Sequence, residues 1–130
     1  MGLQGRGHLV KAERFEDLRV WQAARQIAGA IYLSTGDGAF SRDYALRDQV
    51  RRAAVSISSN IAEGFSRNSS KEFVHFLFIA KGSAGEIQSQ LYIALDQGYI
   101  SQEAFDELYG RIDSVAKQIS RLITYLKEAG

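Results

Sequence analysis

The chain has no proline and no cysteine in its 130 residues, and only two histidines, His8 and His75. Without proline, nothing removes a helical hydrogen-bond donor or clashes with the preceding turn, so long uninterrupted helices are open to it. Without cysteine it has no disulfides, no thiolate nucleophile and no zinc site that depends on sulfur, a composition that suits a reducing compartment. No apolar run approaches the roughly 20 residues needed to span a bilayer, and the start Met1-Gly2-Leu3-Gln4-Gly5-Arg6 lacks the apolar stretch of a signal peptide. These absences predict a cytoplasmic protein with no membrane partner. Charge of one sign is also scarce. Sixteen Lys and Arg against fifteen Asp and Glu leave a net charge of +1 with no long block of either sign, which counts against strong nonspecific binding to nucleic acid.

The motifs of common chemistries are missing too. There is no Gly-rich loop ending in Gly-Lys-Ser/Thr, no Gly-x-Ser-x-Gly elbow and no His-Glu-x-x-His run. Glu72-Phe73-Val74-His75 has the Glu-x-x-His spacing that places a carboxylate and an imidazole on one helix face, but di-iron bundles need two such motifs and two further glutamates. A metal or small-molecule enzyme built on Glu63, Glu72 and His75 is therefore the weakest reading. The expectation is a non-enzyme with no catalytic residues, no cofactor and no metal site.

What is present is helical. With 45% hydrophobic and 24% charged residues, the chain has the composition of one ordinary globular domain. Its breakers are Ser34-Thr35-Gly36-Asp37-Gly38, Ser66-Arg67-Asn68-Ser69-Ser70 and Gln97-Gly98-Tyr99-Ile100-Ser101. They predict four helices at about residues 15–34, 42–66, 70–97 and 102–128. Short connections between long helices favour antiparallel neighbours, so the expected fold is all-α, an up-and-down antiparallel four-helix bundle over residues 15–130 behind a flexible tail over 1–14. In the last segment Phe105, Leu108, Ile112, Val115, Ile119, Leu122 and Leu126 step by threes and fours, the seam of a bundle helix. Leu46, Val50, Ala54, Ile57, Ile61 and Phe65 form such a stripe in the second segment, and Leu18, Trp21, Ala28 and Ile31 in the first. Ser69 with Glu72 fits a capping box, and Ser101 fits an N-cap.

The third segment is apolar nearly all round, through Phe73, Val74, Phe76, Leu77, Phe78, Ile79 and Ala80. One face of a bundle cannot bury all of these, so a second partner is implied, most simply another copy of the chain. Phe73, Val74, Phe78 and Ile79 are the expected oligomer interface. Small residues also crowd the second and third segments, among them Gly82 and Gly85, and close approach of the two helices would explain glycines that cost about 0.5–1 kcal/mol each within a helix.

If those two helices turn back around Arg67–Ser69, Arg52 comes near Ser83 and Glu86, and Asn60 near His75. Arg52, Ser56, Asn60 and Glu63 share one side of the second helix, so a polar inter-helix network of Arg52, Ser56, Asn60, Glu63, His75, Ser83 and Glu86 is expected. With no nucleophile–base pair in it, it reads as hydrogen bonds and ion pairs that fix register, in preference to a ligand pocket. Arg42, Arg47 and Arg51 cluster at the start of the second helix, and Arg6, Lys11 and Arg14 make the tail basic. They are the candidate contacts of an RNA- or DNA-binding alternative, although Asp43 and Asp48 interleave with them.

Three stretches resemble one known family: Phe15-Glu16-Asp17-Leu18-Arg19-Val20-Trp21-Gln22, the run from Gln49 to Gly64 with its Ser59-Asn60-Ile61-Ala62-Glu63-Gly64, and Gly82-Ser83-Ala84-Gly85-Glu86. They are similar to the 23S rRNA intervening-sequence proteins of bacteria, from about Phe15 to the end of the chain. The resemblance implies a four-helix bundle assembled into a ring-shaped homopentamer, and it brings no catalytic residues. Some genes of the family lie within insertions in large-subunit ribosomal RNA genes, and a related branch comprises basic accessory proteins of retroelements. The resemblance thus implies the chain itself as partner, and RNA or a nucleic-acid-associated protein as a further one. The family usually has proline where this chain has Ser58.

Overall fold

A computed structural model describes residues 12–129. After a 3-10 turn at Phe15–Asp17 come α1 (Arg19–Ser34), the short α2 (Gly38–Arg42), α3 (Tyr44–Ser66), α4 (Ser70–Asp96) and α5 (Gln102–Ala129). The four long helices run alternately up and down. α3 packs against α1 on one side and α4 on the other, and α5 joins α4 to α1, closing a four-helix bundle. No helix among the described residues is long and apolar enough to cross a membrane.

The core follows the apolar stripes. All seven predicted seam residues of α5 are buried, and so are all six of α3. In α1 the buried stripe is instead Val20, Ala24, Ile27 and Ile31, with Leu18 buried at the N-cap and Trp21 and Ala28 only partly covered. The difference arises because Phe15–Asp17 forms a separate 3-10 turn, so α1 starts four residues later than periodicity predicts and in another phase.

The ends are chemically specified. Ser69 Oγ accepts from the Glu72 amide at 3.4 Å and Ser101 Oγ from the Ala104 amide at 3.1 Å, so both serines act as N-caps, while the Glu72 carboxylate turns to Arg67 at 3.5 Å. α4 stops at Gly98, whose φ of 75° suits glycine, and the amides of Gly98 and Tyr99 bond back to Leu95 and Ala94. α3 runs unbroken through Ser58, whose hydroxyl donates to the Val55 carbonyl at 3.1 Å. At Gly64 a Cβ would stand 2.8 Å from Phe76 Cβ and 2.9 Å from Phe73 Cδ1, so α3 and α4 meet there at a distance only glycine allows.

Candidate interaction surfaces

The third helix of the bundle divides its apolar residues in two. Phe73, Leu77, Ala80, Ala84, Ile87, Leu91 and Ala94 face inward and are at most 1% exposed. This corrects the expectation for Phe73. It is a core residue set edge-on to Phe65, ring centroids 6.0 Å apart, and cannot line an interface. Val74 is partly buried against the core. Phe78, Ile79, Tyr92 and Ile93 point outward, 41% to 52% exposed. Between them along the helix lie Gly82 and Gly85, and a Cβ added to either would meet nothing within 4 Å. Close approach within the chain therefore does not account for these two glycines; Ala80, Ser83 and Ala84 are the small residues turned inward. Lys127 of α5 holds its ammonium 5.4 Å from the Phe78 ring centroid, and a cavity of about 260 Å³ lies nearby, lined by Ser70, Lys71, Val74, Leu126 and Lys127.

The polar network forms only in part. Ser56 Oγ and Ser83 Oγ are 2.9 Å apart, and the Asn60 amide donates to the Ser56 hydroxyl and carbonyl at 2.9 and 2.8 Å. Ser83 thus meets Ser56, one turn beyond Arg52, because the pivot of the hairpin lies nearer Ser70 than the centre of the predicted turn. Glu86 accepts from Gln90 at 3.2 Å. Glu63 accepts from Arg67 at 2.9 Å, and Arg67 also reaches Glu72 at 3.5 Å. Arg52 has no hydrogen bond or ion pair among the described residues, and His75 is exposed with its ring against Phe76. Glu63 and Glu72 thus meet on the Arg67 guanidinium, while His75 lies against Phe76. Among the described residues no three His, Asp or Glu side chains come together as metal ligands would.

The opposite end of the bundle is pinned by contacts that local sequence did not announce. Thr35 is fully buried after α1. Its hydroxyl donates to Ile31 at 2.7 Å and accepts from Arg51 Nε at 2.8 Å, while a second Arg51 nitrogen donates to the Thr35 carbonyl at 3.2 Å. A cation at a helix C-terminus also meets the negative end of its dipole. Arg47 donates to the Ser41 carbonyl at 3.1 Å and pairs with Asp48 at 2.9 Å, and this pairing holds the Asp48 carboxyl below its ordinary range. Tyr99 donates to Asp43 at 2.9 Å, and Asp43 also caps α3 by accepting from the Leu46 amide at 3.1 Å. That hydrogen bond raises the Tyr99 phenol above its usual pKa. Arg47 and Arg51 are thus structural side chains as well as candidate nucleic-acid contacts, whereas Arg42 is exposed. Arg6, His8 and Lys11 lie outside the described residues.

Helix order and packing define an all-α bundle protein. Its sequence matches the model of the 23S rRNA-intervening sequence proteins over residues 16–121, and the chain belongs to that family. Among solved structures it is similar to a protein of unknown function from the S23 ribosomal protein family of Bacteroides thetaiotaomicron. The two share 23% identity over 81% of this chain and 95% of that one, with a TM-score of 0.75. Comparison with curated proteins finds no match.

Proposed function

We propose that this is a non-catalytic, cytoplasmic, homo-oligomeric binding or assembly protein whose copies meet through the outer face of α4. The observation that carries the reading is that face itself: four large apolar side chains, each close to half exposed, around two helix-interior glycines with open space above them. Each glycine costs the isolated helix about 0.5–1 kcal/mol relative to alanine. A helix of a second copy laid against Gly82 and Gly85 offsets that cost by close backbone approach and covers Phe78, Ile79, Tyr92 and Ile93. The number five comes from the family resemblance; the face argues only that a copy is needed.

A charge set into that contact has no partner. Phe78→Asp and Ile79→Asp are each expected to reduce the native mass, read by light scattering on a sizing column, while circular dichroism stays helical. A native mass unchanged by both substitutions refutes the placement.

A further inference from the structure

The last turn of α1 and the first turns of α3 carry a second unusual surface. Tyr32 and Tyr44 are 46% and 64% exposed, and Leu33 beside Tyr32 is 82% exposed. Neither tyrosine belongs to the core or to the residues packed on it. Each nevertheless has a guanidinium over its ring: Arg51 lies 4.5 Å from the Tyr32 centroid and Arg47 4.8 Å from that of Tyr44. Both arginines are anchored to backbone carbonyls, Arg51 to Thr35 and Arg47 to Ser41. Each ring is thus backed by a guanidinium on a fixed support, with about half or more of the residue left in solvent.

The geometry points to a docking surface for single-stranded nucleic acid, on which unpaired bases stack against the exposed rings of Tyr32 and Tyr44. This goes beyond the assembly reading and uses a different part of the molecule. Aromatic rings backed by arginine bind bases through their π-faces without regard to sequence. The two arginines are one helical turn apart on α3, about 5–6 Å between Cβ atoms. A duplex hides the faces of its bases within its own stack, so bases that stack on these rings come from a strand that is not paired.

Phosphates are met by Arg42, exposed, and by Arg51, whose hydrogen-bond partners are neutral. Arg47 is offset by Asp48, Asp43 is occupied by Tyr99 and the α3 cap, and Asp37 lies before α2. With so small a local excess of positive charge, stacking carries the affinity. The dependence on salt is accordingly shallow, set by about two phosphate contacts.

The test is fluorescence anisotropy of a labelled oligouridine of about 12 nucleotides, within the site sizes of single-strand binders, against an RNA duplex of equal length. Native mass is measured alongside. The full chain is expected to prefer the single strand and to lose only about sevenfold in affinity between about 50 and 200 mM salt. Tyr32→Leu and Tyr44→Leu should each weaken binding about tenfold, while Tyr32→Phe and Tyr44→Phe keep it, because the ring and not the hydroxyl does the stacking. The proposal is overturned if the oligouridine does not bind, if the duplex binds as well, or if the leucine variants bind like wild type. Leucine variants that change the native mass and leave single-strand affinity alone would make this surface a protein contact instead.

Discussion

The inner and outer faces of α4 are similar in composition and opposite in circumstance. Inward, Phe73, Leu77, Ile87 and Leu91 vanish into the bundle; outward, Phe78, Ile79, Tyr92 and Ile93 stay close to half exposed. The glycines of the same hairpin repeat the contrast. Gly64 is crowded by Phe73 and Phe76, and Gly82 and Gly85 face open space. The inner face and Gly64 are explained by contacts this chain makes with itself. On the outer face Tyr92 touches Phe105 and Tyr109, and Lys127 lies over Phe78, but these contacts leave each large side chain close to half exposed and open space over both glycines, and that is the ground for proposing a second copy there.

Substitutions that treat the two faces alike should separate them. The largest expected effect is on the inner face: Phe73→Ala removes a fully buried ring and should cost about 3–5 kcal/mol of stability in denaturant unfolding, whereas Phe78→Ala in a dissociated background should cost far less. Gly64→Ala comes next. Its new methyl must push Phe76 Cβ and Phe73 aside, an overpacking cost of about 1–3 kcal/mol, partly offset by better helix propensity. Gly82→Ala and Gly85→Ala should do the reverse to the fold, each raising the stability of the dilute chain by about 0.5–1 kcal/mol while loosening assembly at higher concentration. If Gly64 and the pair Gly82 and Gly85 respond in the same sense, the distinction between the faces fails.

The smallest effect concerns the pinned end. The Asp43 carboxylate favours the neutral Tyr99 phenol in the fold and raises its pKa above the ordinary value. This contribution is present below a pH of about 10 and is lost as pH rises through the raised value. Tyr99→Phe should therefore lower the melting temperature slightly at neutral pH, and the gap to wild type should close in alkali. A gap that persists at high pH would contradict the assigned role of the hydrogen bond.

The sequence was most readable where one signal acted alone. α5 is a continuous stripe with polar residues between, and each predicted seam position is buried. α1 misled because its alanines and branched residues spread around the helix, so its phase depends on where the 3-10 turn ends. In α4 the pattern reveals an excess of apolar surface but does not say which half faces the core, and the structure turns Phe73 inward. The polar network was legible as a shared face, and only Ser56, Asn60 and Ser83 came together. Contacts spanning long stretches of chain, Arg51 with Thr35 and Tyr99 with Asp43, left no local signal at all.

The most direct test is the native molar mass of the wild-type chain in solution. Five copies of the 14.4 kDa chain predict a protein mass of about 72 kDa that does not change with salt. A monodisperse 14.4 kDa species at high concentration would mean that the outer face of α4 stays in water, and would contradict the account at its centre.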